Sequence, residues 1–320
     1  MMNLFSSAAI HRKGRYRDGL SQGVVAIPAS LLNPAQEIII MQKNALQRLP
    51  ATWQHWVIDN LAKGCDPEGL AQQMVNDGPF DRTLAEFALA DAHLQTHPGL
   101  FVPPPLPEID TTANKIALPD RVVDVLLSVA IPRIVLLGNV LADGECDALA
   151  AMSRARFARS ATIDNASGLS KPDDSRTSES AHIQRGETEL VARIDARLAA
   201  LAAWPVDHAE SLQLQKYQAG NEYRPHYDWF DATLPGPAKH LEKGGQRLGT
   251  IILYLTDVEE GGGTSFPGIG LDVHPQKGGA LFFRNTTPYG LPDKKTLHAG
   301  LPVEKGTKII ANKWLREKPY

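Results

Sequence analysis

The segment His226-Tyr227-Asp228 places an imidazole and a carboxylate two residues apart. In a β-strand, residues i and i+2 project to the same side, so these two groups would point together while Tyr227 faces away. His298 is the candidate for a third ligand from another part of the chain. Two histidines and one carboxylate on one face of a metal ion leave open coordination positions. That arrangement suits Fe(II) and oxygen chemistry.

Lys308 follows His298 by ten residues and is predicted to become a buried cation that holds a substrate carboxylate. Taken one at a time, these residues are weak signals, because a single histidine is more often a surface or hydrogen-bonded structural residue. His274, which precedes Pro275 in a turn-like region, is interpreted in that way. Whether these residues form one site therefore depends on the secondary-structure elements that position them.

The part of the chain after Pro205 has the pattern of many short strands between glycine and proline turns. The clearest apolar or alternating runs lie at 212–217, 250–255, 280–283 and 308–314. Such spacing favours an all-β sandwich or barrel, here flanked by helices that precede it in the chain.

The first third of the chain has a different organisation. Residues 1–34 are predicted to be a flexible lead-in, and 35–95 a small helical module in which apolar residues recur at three- and four-residue spacing. Asp66 before Pro67 is a typical N-cap followed by a proline at the first helical position. Residues 96–119 are rich in proline and are predicted to be a stiff linker to a catalytic domain at 120–320.

Composition excludes several classes of protein. The chain has 320 residues, of which 43% are hydrophobic and 22% charged, a globular balance that excludes wholesale disorder. A net charge of −3 gives no reason to expect a nucleic-acid partner. Two cysteines exclude a disulfide framework and a four-thiolate zinc site. The longest apolar stretch, 122–141, contains Asp124, Pro132 and Arg133, so we expect no membrane span and a cytoplasmic location.

Several longer motifs occur in order across the C-terminal two-thirds of the chain. They are Arg176-Thr177-Ser178, the YxxGxxYxxHxD pattern from Tyr217 to Asp228, Gln246-Arg247, 262–267, 277–283, 297–303, 305–308 and Asn312-Lys313-Trp314. With these motifs, residues 120–320 resemble the prolyl 4-hydroxylase family of Fe(II)/2-oxoglutarate-dependent dioxygenases.

The resemblance implies a fold that is mainly β with flanking helices, a double-stranded β-helix (jelly roll), beside the small N-terminal helical module. It implies that His226, Asp228 and His298 are the catalytic metal ligands for Fe(II). Lys308 would pair with 2-oxoglutarate, and Tyr217 and Thr250 would also contact this cosubstrate. The implied reaction uses O2, with ascorbate as reductant, and decarboxylates 2-oxoglutarate oxidatively to succinate and CO2.

The resemblance also assigns a substrate groove, whose residue types are all retained. Its members are Arg176, Ser178, Glu210, Tyr223, Arg247 and Trp314. Two alternatives stay open: Trp314 is equally a core residue, and Glu210 with Arg247 is also a candidate for an ion pair that stabilises the fold. The loop at 284–295 departs from the family pattern, and such loops shape access to a site.

The first hypothesis for function is hydroxylation of a prolyl residue in a peptide or protein. The alternative is hydroxylation of a free cyclic amino acid, proline or pipecolate, in secondary metabolism. A free amino acid needs a closed pocket with a carboxylate anchor such as Arg176 or Arg247, whereas a peptide needs an open groove. A third hypothesis, from a different class, is a catalytically silent metal-binding interaction protein, against which the intact triad with Lys308 argues. The helical module is predicted to help position the substrate or to form a homodimer.

Overall fold

The computed structural model describes residues 45–80, 82–96, 105–288 and 290–320. The predicted lead-in at 1–34 and the first part of the predicted linker lie outside these ranges. The described helices are α1 (Ala51–Ala62), α2 (Pro67–Asp77), α3 (Arg82–Thr96), α4 (Asp143–Ser153), α5 (Glu189–Leu201) and α6 (Pro235–Lys239). In the described ranges, no helix is both long and apolar enough to cross a bilayer.

The described strands are numbered in chain order. They are β1 (Lys115–Ala117), β2 (Val122–Val129), β3 (Ile134–Gly138), β4 (Ala158–Arg159), β5 (Ala161–Ile163), β6 (Ser170–Pro172), β7 (Glu179–Ile183), β8 (Leu212–Tyr217), β9 (Tyr223–His226), β10 (Arg247–Tyr254), β11 (Glu260–Gly261), β12 (Thr264–Phe266), β13 (Leu271–Val273), β14 (Ala280–Arg284), β15 (His298–Gly300), β16 (Val303–Lys305) and β17 (Lys308–Arg316). The four strands predicted after Pro205 are confirmed as β8, β10, β14 and β17, with small differences at their ends.

The three N-terminal helices form a core of their own. The predicted cap at Asp66 is confirmed, because its Oδ2 accepts a hydrogen bond of 2.9 Å from the backbone of Gly69. Val57 and Met74 are fully buried between the helices, and the ring of Trp53 packs edge-on against that of Phe80. This apolar cluster stabilises the helices independently of the sheets.

The largest sheet has nine strands in the order β1-β2-β3-β14-β10-β17-β8-β7-β4, and all of its pairings are antiparallel. Helices α4 and α5 cover its outer face, where Leu149, Ile194 and Leu198 join its core. A strand buried on both faces needs a continuous apolar sequence, and β10 has one from Ile251 to Tyr254.

A second sheet, in the order β13-β12-β15-β9, packs against the inner face of the first. Ile252 and Phe283 of the large sheet meet Phe266 and Val273 of the small one in a shared apolar core. The protein is thus mainly β with flanking helices, as predicted, and its two facing antiparallel sheets are consistent with a jelly roll.

The described part of the predicted linker, 105–119, packs against the β domain. Ile109 is fully buried in the core of the large sheet, and β1 pairs with β2 at its edge. The carboxylate of Glu108 bridges the guanidinium groups of Arg133 and Arg284, at 2.5 and 3.0 Å. These contacts attach the segment to the domain that follows it.

The helical module meets the β domain at the 3₁₀ turn Lys294–Thr296. Glu86 of α3 lies 3.2 Å from the ammonium group of Lys295, and Glu68 of α2 lies 3.8 Å from that of Lys294. Exposed ion pairs of this kind contribute little stability. The contact places the helices beside the turn that leads into His298.

Candidate active site

His226, Asp228 and His298 lie together where β9 and β15 meet. His226 ends β9 and His298 begins β15, and the two are direct partners across this antiparallel pair. Asp228 lies just beyond the end of β9, with Oδ1 3.7 Å from His226 Nε2 and Oδ2 3.8 Å from His298 Nε2. One ligand atom from each residue lies within 4.8 Å of the others, as binding of a single cation requires.

Backbone carbonyl groups orient both imidazole rings. His226 Nδ1 lies 2.8 Å from the carbonyl oxygen of Arg224, and His298 Nδ1 lies 3.0 Å from that of Thr296. A carbonyl can only accept, so Nδ1 carries the proton and Nε2 offers its lone pair to a metal. Burial, reinforced by the neighbouring His298, lowers the pKa of His226 to about 3, which keeps this imidazole neutral.

The third ligand, Asp228, is fixed by a buried hydroxyl. Thr250 Oγ1 donates a hydrogen bond of 2.8 Å to Asp228 Oδ2. Burial raises the pKa of Asp228, but the two histidines, Arg247 and this hydrogen bond outweigh it and lower the pKa to about 2. Two imidazole Nε2 atoms and one charged carboxylate fit a divalent cation such as Fe(II).

A small cavity lined by His226 and His298 extends to Lys308. Lys308 is 2% exposed, and among the described residues no carboxylate pairs with it. Burial lowers its pKa to about 7. A buried ammonium group without a counter-ion is costly, so the cavity fits an anion that enters beside the metal ligands. The carboxylate of 2-oxoglutarate is such an anion.

The two further residues expected to contact the cosubstrate have different positions. Tyr217 lines the cavity, with its ring 5.4 Å from Lys308 Nζ, and its hydroxyl donates to Gln215 Oε1. Thr250 instead lies beside Asp228, where its hydroxyl also accepts a 3.0 Å hydrogen bond from Asn285 Nδ2. In the structure, Thr250 therefore supports a metal ligand.

Tyr223 lines the cavity, and Arg176 lies against its ring. The Tyr223 ring stacks on that of His226 at 3.5 Å between centroids, and the Arg176 guanidinium lies 5.0 Å from the Tyr223 ring. Arg176 is buried and donates to Gln213 Oε1 at 2.8 Å. Ser178 is fully buried, so its side chain lies beneath the surface.

Glu210, Arg247 and Trp314 form a buried group on the other side of Asp228. Arg247 pairs with Glu210 through two hydrogen bonds of 2.7 and 3.0 Å, and Arg316 adds a third at 2.8 Å. The Arg247 guanidinium also lies 3.7 Å from the Trp314 ring centroid. The structure contains the ion pair between Glu210 and Arg247 that the sequence analysis gives as an alternative. Trp314 is 6% exposed, as the alternative of a core residue requires.

Three polar residues at the site are not among the site residues predicted from the sequence. Gln215 and Asn312 line the cavity, and Asn285 supports Thr250. Strand periodicity carries a signal for two of them, since Asn312 follows Lys308 by four residues on β17 and Gln215 precedes Tyr217 by two on β8. Asn285 carries no such signal, because it lies at the end of a strand.

Comparisons with known proteins agree with this geometry. A family model described as the 2OG-Fe(II) oxygenase superfamily matches residues 212–316. The probable prolyl 4-hydroxylase 3 of Arabidopsis thaliana is 34% identical over 208 residues, which cover 59% of this chain and 71% of the relative. The prolyl 4-hydroxylase subunit alpha-1 of Gallus gallus is 36% identical over 187 residues, 58% of this chain and 36% of that subunit.

Among solved structures, a viral collagen prolyl hydroxylase from Paramecium Bursaria Chlorella virus-1, determined as a 2OG complex, is 31% identical. The match covers 57% of this chain and 95% of the viral protein, with a TM-score of 0.44. The residues that match the family model include His226, Asp228, His298 and Lys308. The chain belongs to the prolyl 4-hydroxylase family of 2-oxoglutarate-dependent Fe(II) dioxygenases.

Proposed function

We propose that this protein hydroxylates a prolyl residue in a peptide or protein, using Fe(II), 2-oxoglutarate and O2, with ascorbate as reductant. The observation that carries the proposal is that His226 and His298, which lie together with Asp228, share one cavity with the buried cation Lys308. When bound, Fe(II) with O2 and 2-oxoglutarate supplies the oxidation that converts a substrate C–H into C–OH, while 2-oxoglutarate becomes succinate and CO2.

The chain's own residues bind and orient the reactants. His226, Asp228 and His298 would hold the metal, and three protein ligands would leave further coordination positions for the reactants. Lys308 binds the distal carboxylate of 2-oxoglutarate and thereby directs the other end of this molecule toward the metal. Apolar side chains behind the ligands, among them Phe266 and Phe283, pack against the His298 ring and exclude water.

The ion pair of Arg247 favours a peptide substrate over a free amino acid. A free cyclic amino acid would need a cationic anchor for its carboxylate, and Arg176 and Arg247 are the candidates. Arg247 is already paired with Glu210, whereas Arg176 donates to two neutral groups, Gln213 Oε1 and the carbonyl oxygen of Ala161. A prolyl residue within a peptide has no free carboxylate and needs no such anchor. The relatives named as prolyl 4-hydroxylases point to the same substrate class.

The proposal extends to two further properties, the cellular location of the protein and the role of its helical module. Cys65 and Cys146 are both free, which supports a reducing, cytoplasmic location. The exposed helical module is the element to which we assign a role in positioning a protein substrate or in forming a homodimer.

Mass spectrometry tests the proposed function directly. The full chain is incubated with Fe(II), 2-oxoglutarate and ascorbate, together with proline-containing peptides, free proline or pipecolate. We expect the mass of one oxygen atom to be added to a peptide and an equal amount of succinate to form. The variants His226→Ala and Asp228→Ala should abolish both products. Oxidation of free proline or pipecolate alone would overturn the peptide assignment, and iron-dependent succinate production by both variants would overturn the ligand assignment.

A further inference from the structure

A hydrogen-bonded chain of three buried side chains ends on the metal-ligating carboxylate. Asn285 Nδ2 donates to Thr250 Oγ1 at 3.0 Å, and Thr250 Oγ1 donates to Asp228 Oδ2 at 2.8 Å. Asn285 and Thr250 are fully buried, and Asp228 is 7% exposed. On the basis of the proposed function, we propose that Thr250 and Asn285 are positioning residues that occupy Oδ2 of Asp228 and so reserve Oδ1 for the metal.

The direction of the chain follows from the chemistry of the three groups. A threonine hydroxyl has one proton, and an ionised carboxylate can only accept. The Asn285 amide group that faces Thr250 is the NH2 end, so the threonine proton has to point at Asp228. The other end of the amide, Asn285 Oδ1, is buried and has no hydrogen-bond partner within the described ranges. A buried carbonyl without a partner is unfavourable. The amide nevertheless adopts this orientation, because its NH2 end then donates to Thr250.

The backbone of Asn285 is held at both of its polar groups. Its N–H donates to the carbonyl oxygen of Leu248 at 2.9 Å, and its carbonyl oxygen accepts from the N–H of Asp293 at 2.9 Å. Asn285 therefore links the start of β10 to the far end of the loop at 284–295. This loop, which departs from the family pattern, therefore supplies a support for the metal site.

Occupation of Oδ2 has a consequence for coordination. Each oxygen of Asp228 faces one histidine, with Oδ1 toward His226 Nε2 and Oδ2 toward His298 Nε2. With the hydroxyl proton of Thr250 on Oδ2, the lone pairs of Oδ1 remain available, which favours a carboxylate that binds the metal through one oxygen. Binding through one oxygen keeps the position open that a second carboxylate oxygen would fill.

The same hydrogen bonds give Thr250 a role different from the cosubstrate contact that the family resemblance implies. The single hydroxyl proton is directed to Asp228, so Thr250 cannot also donate to a carboxylate of 2-oxoglutarate. The two roles predict different results, because loss of a cosubstrate contact changes the requirement for 2-oxoglutarate and leaves metal affinity as it was.

The test measures binding of Mn(II), without 2-oxoglutarate or substrate, by titration calorimetry and by electron paramagnetic resonance. Thr250→Val keeps the shape of the side chain and removes the hydroxyl, and we expect it to weaken Mn(II) binding by about tenfold to a hundredfold. Thr250→Ser restores a hydroxyl and should recover most of the affinity. Asn285→Leu removes the donor to Thr250 and should weaken binding by a smaller factor.

Thr286→Val is the matched control. Thr286 is 1% exposed, lies next to Asn285, and its hydroxyl has no hydrogen-bond partner within the described part of the chain. The Mn(II) affinity of the Thr286→Val variant should equal that of the wild type. The absorption spectrum of the Co(II)-loaded protein should change in Thr250→Val and Asn285→Leu but not in Thr286→Val.

The outcomes separate this proposal from the proposed function. If the wild type binds no divalent cation at the site, the proposed function fails. If the wild type binds Mn(II) and folded Thr250→Val binds it equally well with an unchanged Co(II) spectrum, the positioning role alone is overturned. If Thr250→Val does not fold, Asn285→Leu decides in the same way, since an unchanged affinity and spectrum would overturn the proposal.

Discussion

His226 and His298 are direct neighbours across the antiparallel pair of β9 and β15, with their ring centroids 4.3 Å apart. Each Nδ1 donates to a backbone carbonyl two residues earlier in the chain, so both Nε2 atoms are free for the metal. The pairing register of two short strands thereby sets the distance between two ligands. A shift of one residue would turn one imidazole to the opposite face of the sheet.

Replacement of Lys308 by alanine should raise the concentration of 2-oxoglutarate needed for half-maximal turnover by about tenfold to a hundredfold. The reason is that a buried charge-assisted contact contributes roughly 1.5–3 kcal/mol. Steady-state kinetics with 2-oxoglutarate as the varied reactant measures this change. Lys305→Ala, at an exposed lysine that pairs with Glu259 at 2.7 Å, is the control and should leave the requirement unchanged. An unchanged requirement in Lys308→Ala would remove Lys308 from this role.

Binding of 2-oxoglutarate should weaken as the pH rises above 7. Burial lowers the pKa of Lys308 to about 7 in the ligand-free protein, so at higher pH the neutral amine must take up a proton to pair with a carboxylate. The dissociation constant should then increase by up to about tenfold for each pH unit. Calorimetry on the Mn(II)-loaded protein in buffers of different ionisation enthalpy measures the proton uptake.

Lys308→Arg provides the comparison for the pH experiment. A guanidinium group stays protonated throughout this range, so the variant should show neither the proton uptake nor the dependence on pH. Equal pH profiles for the wild type and Lys308→Arg would show that another group is responsible.

Glu210→Gln should lower the free energy of unfolding by about 3–5 kcal/mol, because it leaves two buried guanidinium groups without a counter-charge. Arg247 and Arg316 both donate to this carboxylate, and the side chains of all three residues are at most 14% exposed. Urea unfolding measures the loss. Glu187→Gln, at a surface pair with Arg156, should change stability by less than about 1 kcal/mol. A stable Glu210→Gln variant with a raised KM for peptide would instead indicate a substrate contact.

A chain that begins at residue 105 should keep its metal site and its turnover of 2-oxoglutarate. The helices have their own core and supply none of the residues described at the cavity. A chain that begins at residue 118 should unfold at a lower temperature, because it loses buried Ile109 and the strand β1. Thermal unfolding compares the two truncated chains.

The shorter deletion also tests the role of the helices. The KM for a protein substrate should rise in the chain that begins at residue 105 if the helical module positions that substrate through its contact with the turn Lys294–Thr296. An unchanged KM for peptide and protein substrates alike would argue against this role.

The sequence by itself determined several main strands of the catalytic region and the identity of its charged groups. Alternation and apolar runs predicted β8, β10, β14 and β17, because local periodicity reports which faces of a strand are buried. The spacing within the motifs singled out His226 and Asp228 as metal ligands and Lys308 as the buried cation. These features depend on residues close together in the chain or on long family motifs.

Only the tertiary structure decided which partner each buried polar group has. Thr250 donates to Asp228, Asn285 supports Thr250, and Glu210 is shared by Arg247 and Arg316. The prolines at 96–119 predicted a linker, whereas the structure packs the described part of it, 105–119, on the large sheet. The physical reason is the same in each case. A buried hydrogen bond or apolar contact joins residues that are distant in the chain, and its geometry is set by strand register and packing, which no local pattern encodes.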